Sequence, residues 1–124
     1  MPAYLIARVT IDDAARYREY TAHTPRCIAD HGGRFLVRNG ARVHVEGPED
    51  PRRIIVIEFP SMAQAQAFYT SADYAAVKAL RAGAGEMESV LIDGFPEAEW
   101  QASVAASRAI APPELVAQGS QTKL

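Results

Sequence analysis

Residues 52–61 read RRIIVIEFPS, a run of branched and aromatic side chains interrupted by one carboxylate, Glu58, and closed by Pro60. A short apolar stretch rich in β-branched residues and bounded by turn formers describes a strand. Ile54 and Val56 alternate with Ile55, Ile57 and Phe59, so both faces of that strand are apolar. Glu58 shares a face with Ile54 and Val56, where removing an ionised carboxylate from water requires a partner. Arg8, Arg38 and Arg53 are the candidates for that partner.

Upstream, GPEDP at 47–51 is a turn cluster. Before it, RFLVRNGARVHVEG at 34–47 alternates in two pieces about Asn39-Gly40, which is expected to be one long strand bulged at that pair, forming a hairpin with 52–59. Downstream, Ser61 and Gln64 form a capping box that starts a helix at Met62. Its stripe of Ala65, Phe68 and Tyr69 ends near Thr70-Ser71, and a second helical stripe of Tyr74, Val77 and Leu80 follows. The glycines of RAGAGE at 81–86 break the pattern, and MESVLIDGF at 87–95 is a last strand.

At the N-terminal end, AYLIARVTI at 3–11 is a first strand, and Asp12-Asp13 suits the positive end of a following helix. From Ala14 onward Tyr17, Tyr20 or Thr21, Thr24, Cys27 or Ile28, and His31 recur at helical spacing, opposite Arg16, Glu19, His23, Arg26 and Asp30. Pro25 lies within this pattern and predicts a kink or a division, and Gly32 or Gly33 supplies the left-handed cap. The order β-α-β-β-α-β predicts an α+β, ferredoxin-like protomer, a four-stranded antiparallel sheet with its helices on one face. An apolar second face on so small a sheet needs a cover, and a second copy packed sheet to sheet supplies one, so a homodimer is expected.

The chain's 124 residues, 48% hydrophobic and 23% charged, suit one globular domain. A formal charge of −2 creates no field to attract nucleic acid or an anionic membrane, and neither is expected as a partner. No apolar run approaches the ~20 residues of a membrane-spanning helix. The lone Cys27 forms no intramolecular disulfide, and Met1-Pro2 leads directly into a strand with no signal-like segment, which together suggest the cytoplasm. Residues 1–95 are read as the domain. Residues 96–124, rich in Ala and Ser, are read as a C-terminal extension, partly helical around Trp100 and Val104, with a disordered end at QGSQTKL.

The set GGRFLVRNG, then EG, a proline-bearing turn, RRIIVIEFPS, and FYTSADY ahead of LRAG resembles the domain-of-unknown-function family numbered 1330, within the dimeric α/β-barrel superfamily. The resemblance covers residues 2–95. It implies a ferredoxin-like protomer, dimerisation through the sheet faces and a cleft between sheet and helices, and no established activity. Monooxygenases, haem-degrading enzymes and isomerases occur elsewhere in that superfamily, which is an analogy of fold. Asn39 stands where the motif has glycine, a mild change because Asn tolerates the left-handed conformation.

Glu58 is the candidate catalytic residue, a proton acceptor if desolvation raises its pKa, and a register-fixing ion pair otherwise. Arg8, Tyr17, Arg38, His44, Tyr69 and Tyr74 are the candidate ligand-binding residues; as plain core aromatics the tyrosines would only bury area and point their hydroxyls to a rim. Arg34, Arg38, Arg42, Arg52 and Arg53 gather about the central hairpin, where they could steer an anionic ligand or block edge aggregation. No H-x-x-x-H, E-x-x-H or C-x-x-C spacing occurs, and His44 with Glu46 offers only two ligands, so no metal is expected. Cys27 reads as a buried thiol. The glycines of RAGAGEM follow a helix, the wrong order for a phosphate loop, and no cofactor is expected. Two functions fit: a small-molecule-binding dimer, possible as a cofactor-free enzyme on a carbonyl-containing or phenolic compound, and a non-catalytic structural or regulatory module.

Overall fold

The computed structural model describes residues 1–114. Its elements run β1 (Ala3–Ile11), α1 (Ala14–Asp30), β2 (Arg34–Arg38), β3 (Arg53–Phe59), α2 (Met62–Thr70), α3 (Ala72–Ala79), β4 (Gly85–Asp93) and α4 (Glu97–Arg108). The strands form one antiparallel sheet in the order β2-β3-β1-β4, the ferredoxin-like arrangement. The described residues divide into two compact units, Met1–Ala41 with Pro51–Gly94, and Arg42–Asp50 with residues 95–114. Within the second, α4 carries Glu97 and Glu99 in its first turn and Arg108 in its last, each sign favourable at its end of the helix dipole. QGSQTKL lies outside the described residues.

In the first unit the core forms on one side of the sheet. Leu5, Ala7 and Val9 of β1 and Ile57 and Phe59 of β3 meet Tyr17, Tyr20, Cys27 and Ile28 of α1 and Phe68, Tyr74 and Val77 of α2 and α3. The alternate residues of β1, β3 and β4, among them Ile6, Ile54, Val56, Val90 and Ile92, lie on the opposite face, where Val90 and Ile92 are 54% and 50% exposed. Gly85 ends the turn into β4 pressed against β1, since a Cβ there would stand 1.9 Å from the Thr10 carbonyl oxygen.

Local chemistry sets the helix ends. Asp13 caps α1 by accepting from Arg16 N at 3.1 Å, and Ser61 caps α2 by accepting from Gln64 N at 3.2 Å. Ser71 separates α2 from α3 and serves both: its hydroxyl donates to Phe68 O at 2.7 Å and accepts from Tyr74 N at 3.0 Å. Gly32, at φ 79°, supplies the left-handed residue after α1.

Two expectations require correction. The strand predicted over 34–47 ends at Arg38, and its bulge falls between Phe35 and Val37. Asn39 makes the last contact with β3, its N donating to Ile54 O at 2.8 Å, and its φ of 49° turns the chain out of the ladder. Of the kink or division expected at Pro25, division is absent, as α1 continues through it. Proline leaves the carbonyl four residues earlier without its helical donor, and here that carbonyl, of Thr21, accepts from Thr24 Oγ1 at 3.2 Å and from Arg38 Nη2 at 3.3 Å.

Candidate functional site

A cleft opens between the helices and the inner face of the sheet. Its volume is about 570 Å³ including the open mouth. Helical spacing on α1 delivers Tyr17, Tyr20, Thr21 and Thr24 to one wall, and Phe68, Tyr69 and Tyr74 of α2 and α3 form another. The floor is Leu5, Ala7, Ile55, Ile57, Met87 and Ser89. Two guanidinium groups, of Arg38 and Arg53, line the cleft as well.

Parity explains the arginines. Arg53 precedes Ile55 and Ile57 in β3 and shares their inward face. Phe35 and Arg38 are three residues apart in β2 and would face opposite sides of a regular strand; the extra residue at Leu36 lets both face inward. Arg38 then lies with its guanidinium carbon 4.5 Å from the Phe35 ring centroid and reaches Thr21 O. Arg53 is differently placed, since its Nε is buried and has no hydrogen-bond partner.

The phenols form a linked group. Tyr20 and Tyr74 hydroxyls are 2.7 Å apart and share a hydrogen bond. Burial, followed by the Tyr74 phenol, pushes Tyr20 well above the usual tyrosine range, so it stays protonated. Burial also raises Tyr17, against the opposing pull of Arg53, Arg81 and Arg38. The Arg81 guanidinium carbon sits 5.3 Å from the Tyr20 ring centroid, and Lys78 Nζ donates to the Tyr69 hydroxyl at 3.1 Å.

Of the sequence candidates, Tyr17, Arg38, Tyr69 and Tyr74 come together in the cleft. Arg8 does not: it lines a shallow depression on the outer sheet face with Ile6, Arg52, Glu88 and Val90. His44 lies in the Arg42–Asp50 segment instead of a strand, its Nε2 2.6 Å from Gly47 O. Glu58 is also on the outer face, opposite Arg34 in the β2–β3 ladder, and accepts from Arg34 Nε at 3.2 Å. Its partner is therefore Arg34 and none of the three arginines expected, because antiparallel register places 34 directly across from 58. Tyr20 and Arg53 belong to the cleft without having been chosen as ligand-binding residues; alternation with Ile55 and Ile57 was the available signal for Arg53.

A second cluster joins α1 to α3. Ligand atoms of Cys27, His31 and Asp73 lie within 4.8 Å of one another, a convergence foreshadowed by the i, i+4 spacing of Cys27 and His31. Both Asp73 oxygens are held by Arg26 at 3.0 Å, and that bond, together with one from Cys27, keeps the Asp73 carboxyl below its usual range. Burial, then Asp73, pushes the Cys27 thiol up to about 11. A cation would have to compete with the Arg26 guanidinium for Asp73, so the cluster acts as an ion-paired clip between the helices.

Comparison with known proteins bears on the fold. The model of a family described as a domain of unknown function, DUF1330, matches residues 2–95. Among solved structures the chain is similar to the RPA0582 protein of unknown function from Rhodopseudomonas palustris, at 15% identity over 77% of this chain and 83% of that one, with a TM-score of 0.62. It is also similar to SnoaB, a cofactor-independent oxygenase from Streptomyces nogalater, at 13% identity over 77% and 94% of the chains, with a TM-score of 0.53. At such identities the likeness is one of fold. No curated protein matches the chain significantly.

Proposed function

The chain belongs to this domain-of-unknown-function family, and from that premise we propose that it binds a small carbonyl-containing or phenolic compound in the cleft, as a homodimer and as an enzyme that needs no cofactor. The observation that carries this reading is the Tyr20–Tyr74 hydroxyl pair, in a mostly apolar cleft that Arg38 and Arg53 also line. Few polar groups converging in an apolar concavity is the usual composition of a ligand site. A ligand carbonyl beside the pair would receive a hydrogen bond from a neutral phenol, and oxyanion character developing there would be stabilised by the nearby arginines.

Glu58, the proton acceptor read from sequence, has its carboxylate on Arg34 at the outer face, away from the cleft. We assign it the other role, fixing β2 to β3, and give acid chemistry to the phenol pair. The homodimer rests on the outer face, where Ile6, Ile54, Val56, Val90 and Ile92 form an apolar patch with Glu58–Arg34 beside it.

A thermal-shift screen against small acids, aldehydes, phenols and quinones tests the site. A ligand at ~100 times its dissociation constant adds about 2.7 kcal/mol, a shift of several degrees. Tyr74→Phe is expected to keep the fold and lose much of that shift, whereas Glu58→Gln keeps it. The narrowness of the cleft favours the non-catalytic module as the second reading, and a screen without hits would select it.

A further inference from the structure

Charge in the cleft is one-sided. Among the seventeen residues that line it, two are arginines and none is acidic. Arg81 adds a third guanidinium against the Tyr20 ring, and its Nε, like that of Arg53, is buried without a hydrogen-bond partner. Three acidic groups of the same unit are held by other arginines: Glu58 by Arg34, Asp73 by Arg26, and Glu88 by Arg52. A buried donor without an acceptor and a cation without a counter-charge are both costly, and one ligand anion would relieve both.

We infer that the ligand of the cleft is a small organic anion, whose carboxylate or enolate oxygens are held by Arg53 and Arg38. This deepens the ligand-site reading above and rests on it. Arg53 offers a buried Nε–H beside its terminal amino groups, the fork that accepts a carboxylate in two parallel bonds. The phenol pair completes the recognition. Two hydroxyl protons are present, one is spent in the 2.7 Å bond between Tyr20 and Tyr74, and the other is available to an anionic oxygen. The interaction of Arg53, Arg81 and Arg38 with Tyr17 has the same sense, since each favours negative charge at that position. The narrow space between apolar walls suits a short aliphatic or single-ring acid.

The test is calorimetric titration of the full chain, in low-chloride buffer, with isobutyrate and benzoate and with the matching amides, isobutyramide and benzamide. The inference expects both carboxylates to bind at least tenfold more tightly than their amides, and Arg53→Gln to remove that preference while still melting cooperatively. Amides binding as well as the acids, or an Arg53→Gln variant that retains the preference, would overturn the anion and leave the ligand site standing. Binding by phenols or aldehydes but by neither acid has the same meaning. If no compound of either series or of the wider screen binds, the ligand site itself falls, and the anion with it.

Discussion

Pro25 cannot offer an N–H to Thr21 O, and Arg38 occupies the acceptor left over at 3.3 Å. A residue outside the cleft lining thereby holds one of the cleft's two arginines in place. In Pro25→Ala the helix recovers its own donor, worth up to about 3 kcal/mol from propensity alone, and competes with Arg38 for the carbonyl. The expected outcome is a higher melting temperature with weaker benzoate binding; unchanged affinity would show that Arg38 is held by Phe35 alone. At Gly85 the reasoning is steric. A methyl group 1.9 Å from the Thr10 oxygen cannot be accommodated by a side-chain rotation, because the obstacle is backbone. Gly85→Ala should lose about 1–3 kcal/mol or more in urea denaturation.

Between elements, the contact of α1 with α3 contains two groups that resist ionisation. The Tyr20 phenol lies above its ordinary value of 10.0 because burial and then Tyr74 disfavour the phenolate, and the Cys27 thiol rises from 9.0 to about 11 because burial disfavours the thiolate. In both cases the folded state keeps a proton that the unfolded chain releases. The stability due to the neutral forms is therefore complete below about pH 9 and is lost as pH rises, first through Cys27 and then through Tyr20. Denaturation midpoints measured from pH 8 to 11 should fall, and the fall should be shallower in Tyr20→Phe and in Cys27→Ala. The same protonation keeps Cys27, which has no measurable exposure, slow toward thiol reagents at neutral pH.

At the scale of the molecule, the proposed homodimer would form through the outer sheet face. Stable dimers cover roughly 800 Å² per partner, and on the outer face Ile6, Ile54, Val56, Val90 and Ile92 present an apolar patch for it, bordered by Arg8, Glu58 and Glu88. Light scattering is expected to give twice the chain mass at micromolar concentration. Val56→Glu, which places a carboxylate at the middle of this face, should halve the mass; a wild-type monomer would require another cover for Val90 and Ile92. Since the cleft lies on the opposite face, benzoate binding by Val56→Glu reports whether assembly and ligand site are independent.

The strands, the helices and their order were legible in sequence because each depends on local chemistry: alternation in IIVIEF, helical spacing along α1, the acidic pair Asp12-Asp13 before it and the capping box at Ser61. Helical spacing likewise directed Tyr17, Tyr69 and Tyr74 to the sheet. Arg8, His44 and Glu58 were less accessible to such reasoning, because alternation says which residues share a face but not which face meets the helices when both are apolar. Glu58 could be grouped with Ile54 and Val56 from sequence; only the packing of α1, α2 and α3 decided that this group points outward, with Arg34 across the ladder. His44 was misplaced because the end of β2 depends on where Asn39 leaves its long-range pairing with Ile54. Sequence by itself determined the elements and the polarity of their faces, through interactions a few residues apart. Tertiary structure alone decided which polar groups meet, because a one-residue bulge at Leu36 and a carbonyl freed by Pro25 take effect only when β2 lies against α1.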